Sequence, residues 1–238
     1  MCDRHKLDPE TEDAMPRKKQ ATHPGPPLAD ISPMLLSEAG RDVSGDDWLW
    51  ELKYDGYRLL AEWGSASVAL KSRNGANASA WFPEVGEGLS TLKHGRCIVD
   101  GEVCVLDDIG RPDFDKLHRR AQTRKFQPGA DMVVYCVFDL LAFEGQSIMH
   151  LPLVERKALL ATLWQPAPSC TLYVQHVEAE QGAWLYEQAL ALELEGLVAK
   201  QRGAVYLPSE RTPDWVKRKR PGAIPPSRFS RKAPPAPK

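Results

Sequence analysis

The sequence alternates short apolar segments with turns that contain glycine, and this pattern limits the folds open to the chain. WLWELKYDGYRLLAEWG (48–64) has the form of successive strands with glycine turns. RCIVDGEVCVLDDIGRP (96–112) has the form of another strand pair, with turns at its DG and GR steps. MVVYCVFDLLAFEG (132–145) is typical of one buried strand. Strands joined by tight turns pair as hairpins, so we expect mainly antiparallel sheets.

Two later segments have helical spacing. LPLVERKALLATLW (151–164) predicts one helix, and AWLYEQALALELEG (183–196) predicts a longer amphipathic helix closed by Gly196. One face of the first helix contains Leu153, Lys157 and Leu160, which follow one another at helical spacing. LVAKQRG and DWVKRKR have the character of final strands. Strands paired by hairpins, with helices outside them, predict an α+β domain rather than a βαβ sandwich.

Composition excludes several classes of protein. The 238 residues are 42% hydrophobic, which fits a globular protein, and their net charge of −1 gives no general attraction to nucleic acid. The longest apolar run is interrupted by Asp139, and the N-terminus lacks an apolar signal segment. We therefore expect a cytoplasmic protein with no membrane partner.

The cysteines and histidines form no metal-binding pattern. The five cysteines include no C-x-x-C pair, and the six histidines are dispersed, so neither a zinc site nor a disulfide framework is expected. Cys97, Cys104 and Cys136 lie in apolar runs and are predicted to be small core residues.

Proline and charge mark the boundaries of the domain. Residues 1–27 are polar and end in HPGPP, which predicts a disordered leader. Residues 221–238 form a basic, proline-rich tail. The folded domain is therefore expected to span residues 28–220.

A lysine in the first predicted strand pair raises the question of function. K-x-D-G-x-R, from Lys53 to Arg58, is compatible either with a solvated hairpin turn or with a lysine nucleophile. Five further segments follow it in order: SRNG at 72–75, DGE at 100–102, FDLL at 138–141, EGLVAK at 195–200 and WVKRK at 215–219.

This succession resembles the adenylation (nucleotidyltransferase) domain of ATP-dependent DNA ligases, and it is most similar to bacterial end-joining ligase domains. The superfamily also contains RNA ligases and mRNA-capping enzymes. The resemblance covers about residues 28–220 and implies a covalent nucleotidyltransferase fold, with mostly antiparallel sheets flanked by helices. DNA ligases of this family continue into an OB-fold domain, and nothing after Pro221 has the length of such a barrel. We therefore expect the nucleotidyltransferase domain without an OB-fold domain.

The resemblance implies that Lys53 attacks the α-phosphate of ATP, expels pyrophosphate and carries AMP as a phosphoramidate. Only the neutral amine attacks, and about one free lysine in 2,500 is neutral at pH 7. Desolvation and nearby positive charge increase that fraction, and Lys200, Lys217 and a bound cation are the expected sources of charge.

Four residues are implied to bind the nucleoside. Glu51 matches a position that helps to hold adenine, partly through the main chain, and Phe138 matches the aromatic residue that stacks on adenine. Arg58 matches the arginine that contacts the sugar and closes the pocket. Arg73 matches a second arginine on the sugar or phosphate side, where its guanidinium suits either group.

Four charged residues are implied to act at the phosphates. Glu102 matches a carboxylate that accepts from the ribose hydroxyl and helps to place the metal, and Glu195 matches a second metal-organising carboxylate. The metal is expected to be Mg²⁺ or another divalent cation. Lys200 and Lys217 match lysines that neutralise the α-phosphate in the transition state.

Taken one at a time, these residues have simpler explanations. Phe138 in an apolar strand is usually core, Glu102 and Glu195 beside glycines fit turns, and the run at 217–220 fits a solvated face. The order of the motifs favours the ligase interpretation.

The expected function is ATP-dependent joining of a 5′-phosphate to a 3′-hydroxyl in nicked or broken double-stranded DNA during repair. An RNA ligase or capping enzyme, and a non-catalytic domain that binds a nucleotide or a partner, are the alternatives. An OB-fold or repair protein is a further expected partner. HRRAQTRK (118–125) fits either a phosphate contact or a solvated helix face.

Overall fold

The computed structural model describes residues 23–37, 42–65 and 67–223. The predicted leader as far as residue 22 and the predicted tail from residue 224 lie outside the described residues. No helix within these ranges is both long enough and apolar enough to cross a bilayer. The described α-helices are α1 (Pro83–Ser90), α2 (Phe114–Gln122), α3 (Leu153–Leu163) and α4 (Gly182–Ala191), with 3₁₀ turns at Leu28–Asp30 and Ala179–Gln181.

The start of the described chain is bonded to the rest of the fold. The Gly25 amide donates to the Gly145 carbonyl at 2.9 Å. The Arg96 guanidinium donates to the carbonyls of Gly25, at 2.9 Å, and Pro26, at 2.6 Å. Residues 23–27, which the sequence assigned to the leader, therefore contact the domain.

Six of the described strands form the larger sheet, in the order β4-β3-β5-β6-β7, with β8 parallel to β6. They are β3 (Tyr57–Trp63), β4 (Ala69–Ser72), β5 (Cys97–Cys104), β6 (Val134–Phe143), β7 (Gln146–Ser147) and β8 (Thr171–Tyr173). Helices α1, α2 and α3 cover one face, where Leu59, Ala61 and Trp63 of β3 enter the main core. Cys97, Cys104 and Cys136 are buried, as predicted.

Five of the described strands form the smaller sheet, in the order β1-β11-β10-β2-β9. They are β1 (Leu35–Ser37), β2 (Trp48–Leu52), β9 (His176–Val177), β10 (Gly196–Gln201) and β11 (Arg211–Lys219). Helix α4 packs on its outer face through Ala189. A second core, which includes Leu60 of β3 and Trp215 of β11, joins the inner faces of the two sheets. The α+β prediction is confirmed, because two sheets that are antiparallel except at the β1–β11 and β6–β8 pairs lie between helices.

The segment 48–64 was expected to be a hairpin, and this expectation is wrong. β2 pairs with β9 and β10 in the smaller sheet, whereas β3 pairs with β4 and β5 in the larger one. Residues 53–56 therefore cross from one sheet to the other. Gly56 allows the crossing, since a Cβ there would lie 2.1 Å from the Val103 carbonyl oxygen of β5.

The expected turn at Asp100–Gly101 is also wrong, because β5 runs through both residues as one strand. A Cβ on Gly101 would lie 2.5 Å from the Tyr135 ring, so this glycine permits close packing. Asp100 lies opposite Asp139 and Gly101 opposite Val137, which leaves Phe138 as the extra residue of a β-bulge.

Helix α4 ends earlier than the sequence predicts. The amide of Glu193, at φ 55°, donates to Leu190, and the amide of Leu194 donates to Ala189. This pair of bonds is a Schellman motif, so the helix is closed by Glu193 rather than by Gly196. Gly196 opens β10 instead, where a Cβ would lie 2.1 Å from the Arg218 carbonyl oxygen of β11.

Candidate active site

The two sheets enclose a cleft that contains a cavity of about 740 Å³. A narrower space of about 50 Å³ shares Lys53, Arg58 and Glu102 with it. All of the predicted site residues line one or both of these spaces. The larger cavity contacts Lys53, Arg58, Arg73, Glu102, Glu195 and Lys217, and the narrower one adds Glu51, Phe138 and Lys200.

Strand alternation explains why residues distant in sequence meet in the cleft. In the smaller sheet, Val198 of β10 lies opposite both Glu51 of β2 and Lys217 of β11, so the three side chains share a face. Lys200, two residues after Val198, therefore points to the same side. In the larger sheet Arg58 lies opposite Glu102, and both face the cleft.

Lys53 lies at the start of the crossing and is paired with a carboxylate. Its Nζ is 2.5 Å from Oε2 of Glu195, and Nζ of Lys219 is 2.8 Å from Oε1 of the same residue. Burial opposes ionisation of Glu195, but the two lysines outweigh it, so the pKa of this carboxyl lies below its ordinary value. Lys219 was not among the predicted site residues. The signal was available, since Lys219 follows Lys217 by two residues on a strand and therefore shares its face.

Glu102 faces Lys53 from the opposite wall of the cleft. Burial raises the pKa of its carboxyl to about 7, although the charges of Lys53 and Arg58 act in the opposite direction. Burial therefore favours the protonated form of Glu102, and an additional cation nearby favours loss of its proton.

Arg58 is held in one orientation by a network of hydrogen bonds. Its Nε and Nη2 donate to the two oxygens of Asp100, at 2.7 and 2.6 Å, and Nη2 also donates to the Met34 carbonyl at 3.0 Å. The Tyr206 hydroxyl donates to Asp100 at 2.6 Å. The guanidinium lies 4.9 Å from the Phe138 ring centroid. Bidentate pairing of this kind fixes the plane of the guanidinium.

Glu51 belongs to a buried group of charges. Its carboxylate contacts two ammonium groups at 2.6 Å each, Lys200 at Oε2 and Lys157 at Oε1. Lys200 also lies 4.4 Å from the Phe138 ring centroid and 4.3 Å from that of Trp215. Burial lowers the pKa of Lys200 to about 8, while Glu51 opposes that shift. Lys157 was not predicted to belong to the site, although its place on the apolar face of α3 was unusual for a lysine.

Arg73 and Phe138 reach the cleft through local departures from regular strands. Arg73 is exposed, follows the end of β4, and donates its amide to the Arg58 carbonyl at 3.0 Å. Phe138 is half-buried, unlike its neighbours Val137 and Asp139, because the bulge turns it towards the cleft. The cleft therefore presents an aromatic ring at one end and several cations around Lys53.

Residues 26–219 match the sequence model of a family described as "ATP dependent DNA ligase domain". The chain belongs to this family. The resemblance drawn from the motifs is thereby confirmed. The match begins near the predicted boundary at residue 28 and ends at Lys219, the last residue of β11.

This ligase domain is similar to larger bacterial proteins. It is 35% identical to the multifunctional non-homologous end joining protein LigD of Pseudomonas aeruginosa, over 79% of this chain and 22% of that protein. It is 34% identical to the SPbeta prophage-derived DNA ligase-like protein LigB of Bacillus subtilis, over 79% of this chain and 66% of that one. The chain thus spans about a fifth of the first relative and about two thirds of the second.

A solved structure shares the fold of the ligase domain. Mycobacterial DNA ligase D, complexed with ATP and MES, is 31% identical, with a TM-score of 0.66 over 80% of this chain and 60% of that one. Chlorella virus DNA ligase-adenylate, at 15% identity and a TM-score of 0.61, shares the fold. The covalent nucleotidyltransferase architecture predicted from the motifs is therefore confirmed.

Proposed function

We propose that Lys53 of this ligase domain reacts with ATP to form a lysyl-AMP, and that the AMP then activates a 5′-phosphate for joining to a 3′-hydroxyl in DNA. The observation that carries this proposal is the position of Lys53, whose side chain enters a cavity of about 740 Å³ lined by further cations. The relatives named for end joining support nicked or broken double-stranded DNA as the substrate. An OB-fold or repair protein is a proposed partner, and residues 28–220 are the proposed extent of the domain.

The reaction requires a rearrangement around Lys53. Its Nζ forms a bond to the α-phosphorus while the bond to the pyrophosphate oxygen breaks, and the amine gives up its proton before or during attack. The ion pair with Glu195 has to open first, because the amine lone pair must face the phosphorus. Lys219, which binds the other oxygen of Glu195, holds that carboxylate in place when Lys53 leaves it.

The remaining residues divide between the two ends of ATP. Phe138 is proposed to stack on adenine beside Glu51, Arg58 to bind the sugar, and Arg73 to bind the sugar or a phosphate. Lys200, Lys217 and Lys219 carry the positive charge that opposes the charge developing on the α-phosphate. Lys217 and Lys219 share one strand face, so they approach the phosphates from the same wall.

Glu102 and Glu195 are the proposed ligands of a divalent cation, taken to be Mg²⁺. They line the cavity from opposite walls, and their carboxylate oxygens are the donors that Mg²⁺ prefers. Within the described ranges no three His, Cys, Asp or Glu side chains are grouped as a metal site. Two carboxylates fit Mg²⁺, which is commonly held by one or two carboxylates together with substrate phosphates. When bound, the cation would supply neutralisation of the α-phosphate and the leaving pyrophosphate.

The proposal is tested by incubating the protein with ATP labelled at the α-phosphate and a divalent cation, followed by nicked duplex DNA or RNA. We expect label on the protein that is stable to denaturation and then transferred to the DNA 5′ end. No label on the protein would favour a non-catalytic nucleotide-binding domain. Transfer to RNA alone would favour an RNA ligase.

Phe138→Ala is expected to weaken ATP use mainly through binding. Loss of stacking on a base costs about 1–3 kcal/mol, which corresponds to a rise in the half-saturating ATP concentration of about fivefold or more. Phe143→Ala, at the far end of the same strand, is the matched control, because Phe143 packs against the main core away from the cleft. A change below twofold for Phe138→Ala would place the adenine elsewhere.

A further inference from the structure

The strongest unassigned feature of the cleft is the pairing of one buried carboxylate with two buried ammonium groups. Glu51, Lys157 and Lys200 are 2%, 0% and 2% exposed. Each lysine nitrogen lies 2.6 Å from a different oxygen of Glu51. The group therefore contains one more cation than a simple ion pair requires.

The two lysines differ in what else they can reach. Lys200 and Glu51 line the narrower space beside Phe138. Lys157, on α3, lies behind this wall, where its ammonium donates to the Val174 carbonyl at 3.0 Å and to the Phe138 carbonyl at 3.4 Å. One ammonium thus holds both the side chain of Glu51 and the backbone of the bulged Phe138.

We propose that Lys157 is a positioning residue for recognition of the purine. Its ammonium holds Oε1 of Glu51 and the main-chain carbonyl of Phe138. When Lys200 leaves Oε2 of Glu51 to bind the α-phosphate, Oε2 then faces the base. The inference rests on the proposed function, since it assigns Lys200 to the α-phosphate and Glu51 to adenine.

A buried carboxylate needs a permanent counter-ion, because an unpaired charge in the interior costs several kcal/mol. Lys200 cannot be that counter-ion, because its ammonium is proposed to leave Glu51 and bind the α-phosphate during the reaction. Lys157 can, since burial behind the wall separates it from the nucleotide, and its pKa is raised by Glu51 although burial acts in the opposite direction.

The consequence is selectivity for a 6-amino purine. An ionised, oriented Oε2 accepts a hydrogen bond from the amino group of adenine and repels the carbonyl oxygen of a 6-oxo purine. Sites that hydrogen-bond a substrate group discriminate strongly against analogues that lack it, because the buried partner is then left unpaired. Lys157 therefore acts on the choice of base without touching it.

The test compares ATP with inosine triphosphate, which carries a 6-oxo group, as donors for labelling of Lys53. In Lys157→Met we expect the ratio of the two second-order rate constants to fall about tenfold towards unity, the size of one lost charge-assisted hydrogen bond. Lys93→Met, at an exposed lysine, is the matched control and is expected to keep the wild-type ratio. A merely structural role would slow both nucleotides and leave the ratio unchanged, which would overturn the proposal.

A second comparison tests whether Lys157 acts through Glu51. Glu51→Gln and the double variant Glu51→Gln/Lys157→Met both lack the carboxylate, so we expect them to share one ratio, since Lys157 acts through Glu51. A further change of ratio in the double variant would overturn the proposal. Failure of the wild-type protein to take label from ATP would instead contradict the proposed function itself.

Discussion

Lys53→Ala is expected to abolish protein–AMP formation and to leave the fold intact. Alanine carries no nucleophile, and neighbouring lysines cannot replace Lys53 because they lie on the strands of the smaller sheet rather than on the crossing. The backbone bond from the Lys53 amide to the Gly196 carbonyl, at 2.9 Å, is kept in the variant. The measurement is transfer of label from α-labelled ATP to denatured protein, together with the thermal unfolding midpoint.

Lys219→Ala is the matched control for this variant. It removes the other lysine that contacts Glu195 but keeps Lys53, the proposed nucleophile, so we expect slower labelling rather than none. Label that persists on Lys53→Ala, at a rate similar to wild type, would assign the nucleophile to another residue. Loss of label accompanied by unfolding would instead point to a structural role for Lys53.

Asp139→Asn is expected to reduce the free energy of unfolding by about 3–5 kcal/mol, because it leaves a buried guanidinium without its carboxylate. Asp139 and Arg156 are both fully buried, and Nε and Nη2 of the arginine each lie 2.8 Å from a carboxylate oxygen. Asparagine keeps the shape but sets a donor NH₂ against a donor. Denaturant unfolding measures the loss.

Two comparisons separate charge from packing in this pair. Asp131→Asn, in an exposed pair with Lys116, is expected to change stability by no more than about 0.5 kcal/mol. Asp139→Leu combined with Arg156→Met removes both charges and is expected to cost less than Asp139→Asn alone. A loss below about 1 kcal/mol for Asp139→Asn would mean that water solvates the Arg156 guanidinium or that another carboxylate pairs with it.

The composition of the cleft was predictable because the motifs specify residue types in a fixed order. Strand alternation directs several of the predicted residues to the cleft, as Lys217 and Glu51 show by flanking Val198 on one face. Lys219 follows from the same alternation, and it was missed because only the first lysine of the W-x-K-x-K segment was considered.

The predictions about the fold were wrong where a local sequence pattern is compatible with two tertiary arrangements. A glycine after an aspartate fits a turn, but Gly101 lies within a continuous strand, where its lack of a side chain lets the Tyr135 ring pack closely. Two apolar segments around a short polar link fit a hairpin, yet β2 and β3 find partners in different sheets. Local sequence does not say which strand will pair with which, since the partners are distant along the chain. The place of Lys157 in the site could not be predicted for the same reason, because its counter-ion Glu51 lies on another element.

The strands of the smaller sheet come from two distant parts of the described chain, and this separation has a consequence for synthesis of the protein on the ribosome. β1 and β2 come from the first part of the described chain, whereas β9, β10 and β11 come from its last part. A nascent chain can form the larger sheet as far as β6 while Lys53 still lacks Glu195 and Lys219. Long-range pairing of this kind is slow and late. The cleft around Lys53 is therefore expected to assemble only after translation has passed Lys219, and a product that terminates before β10 would carry Lys53 without one wall of the cleft.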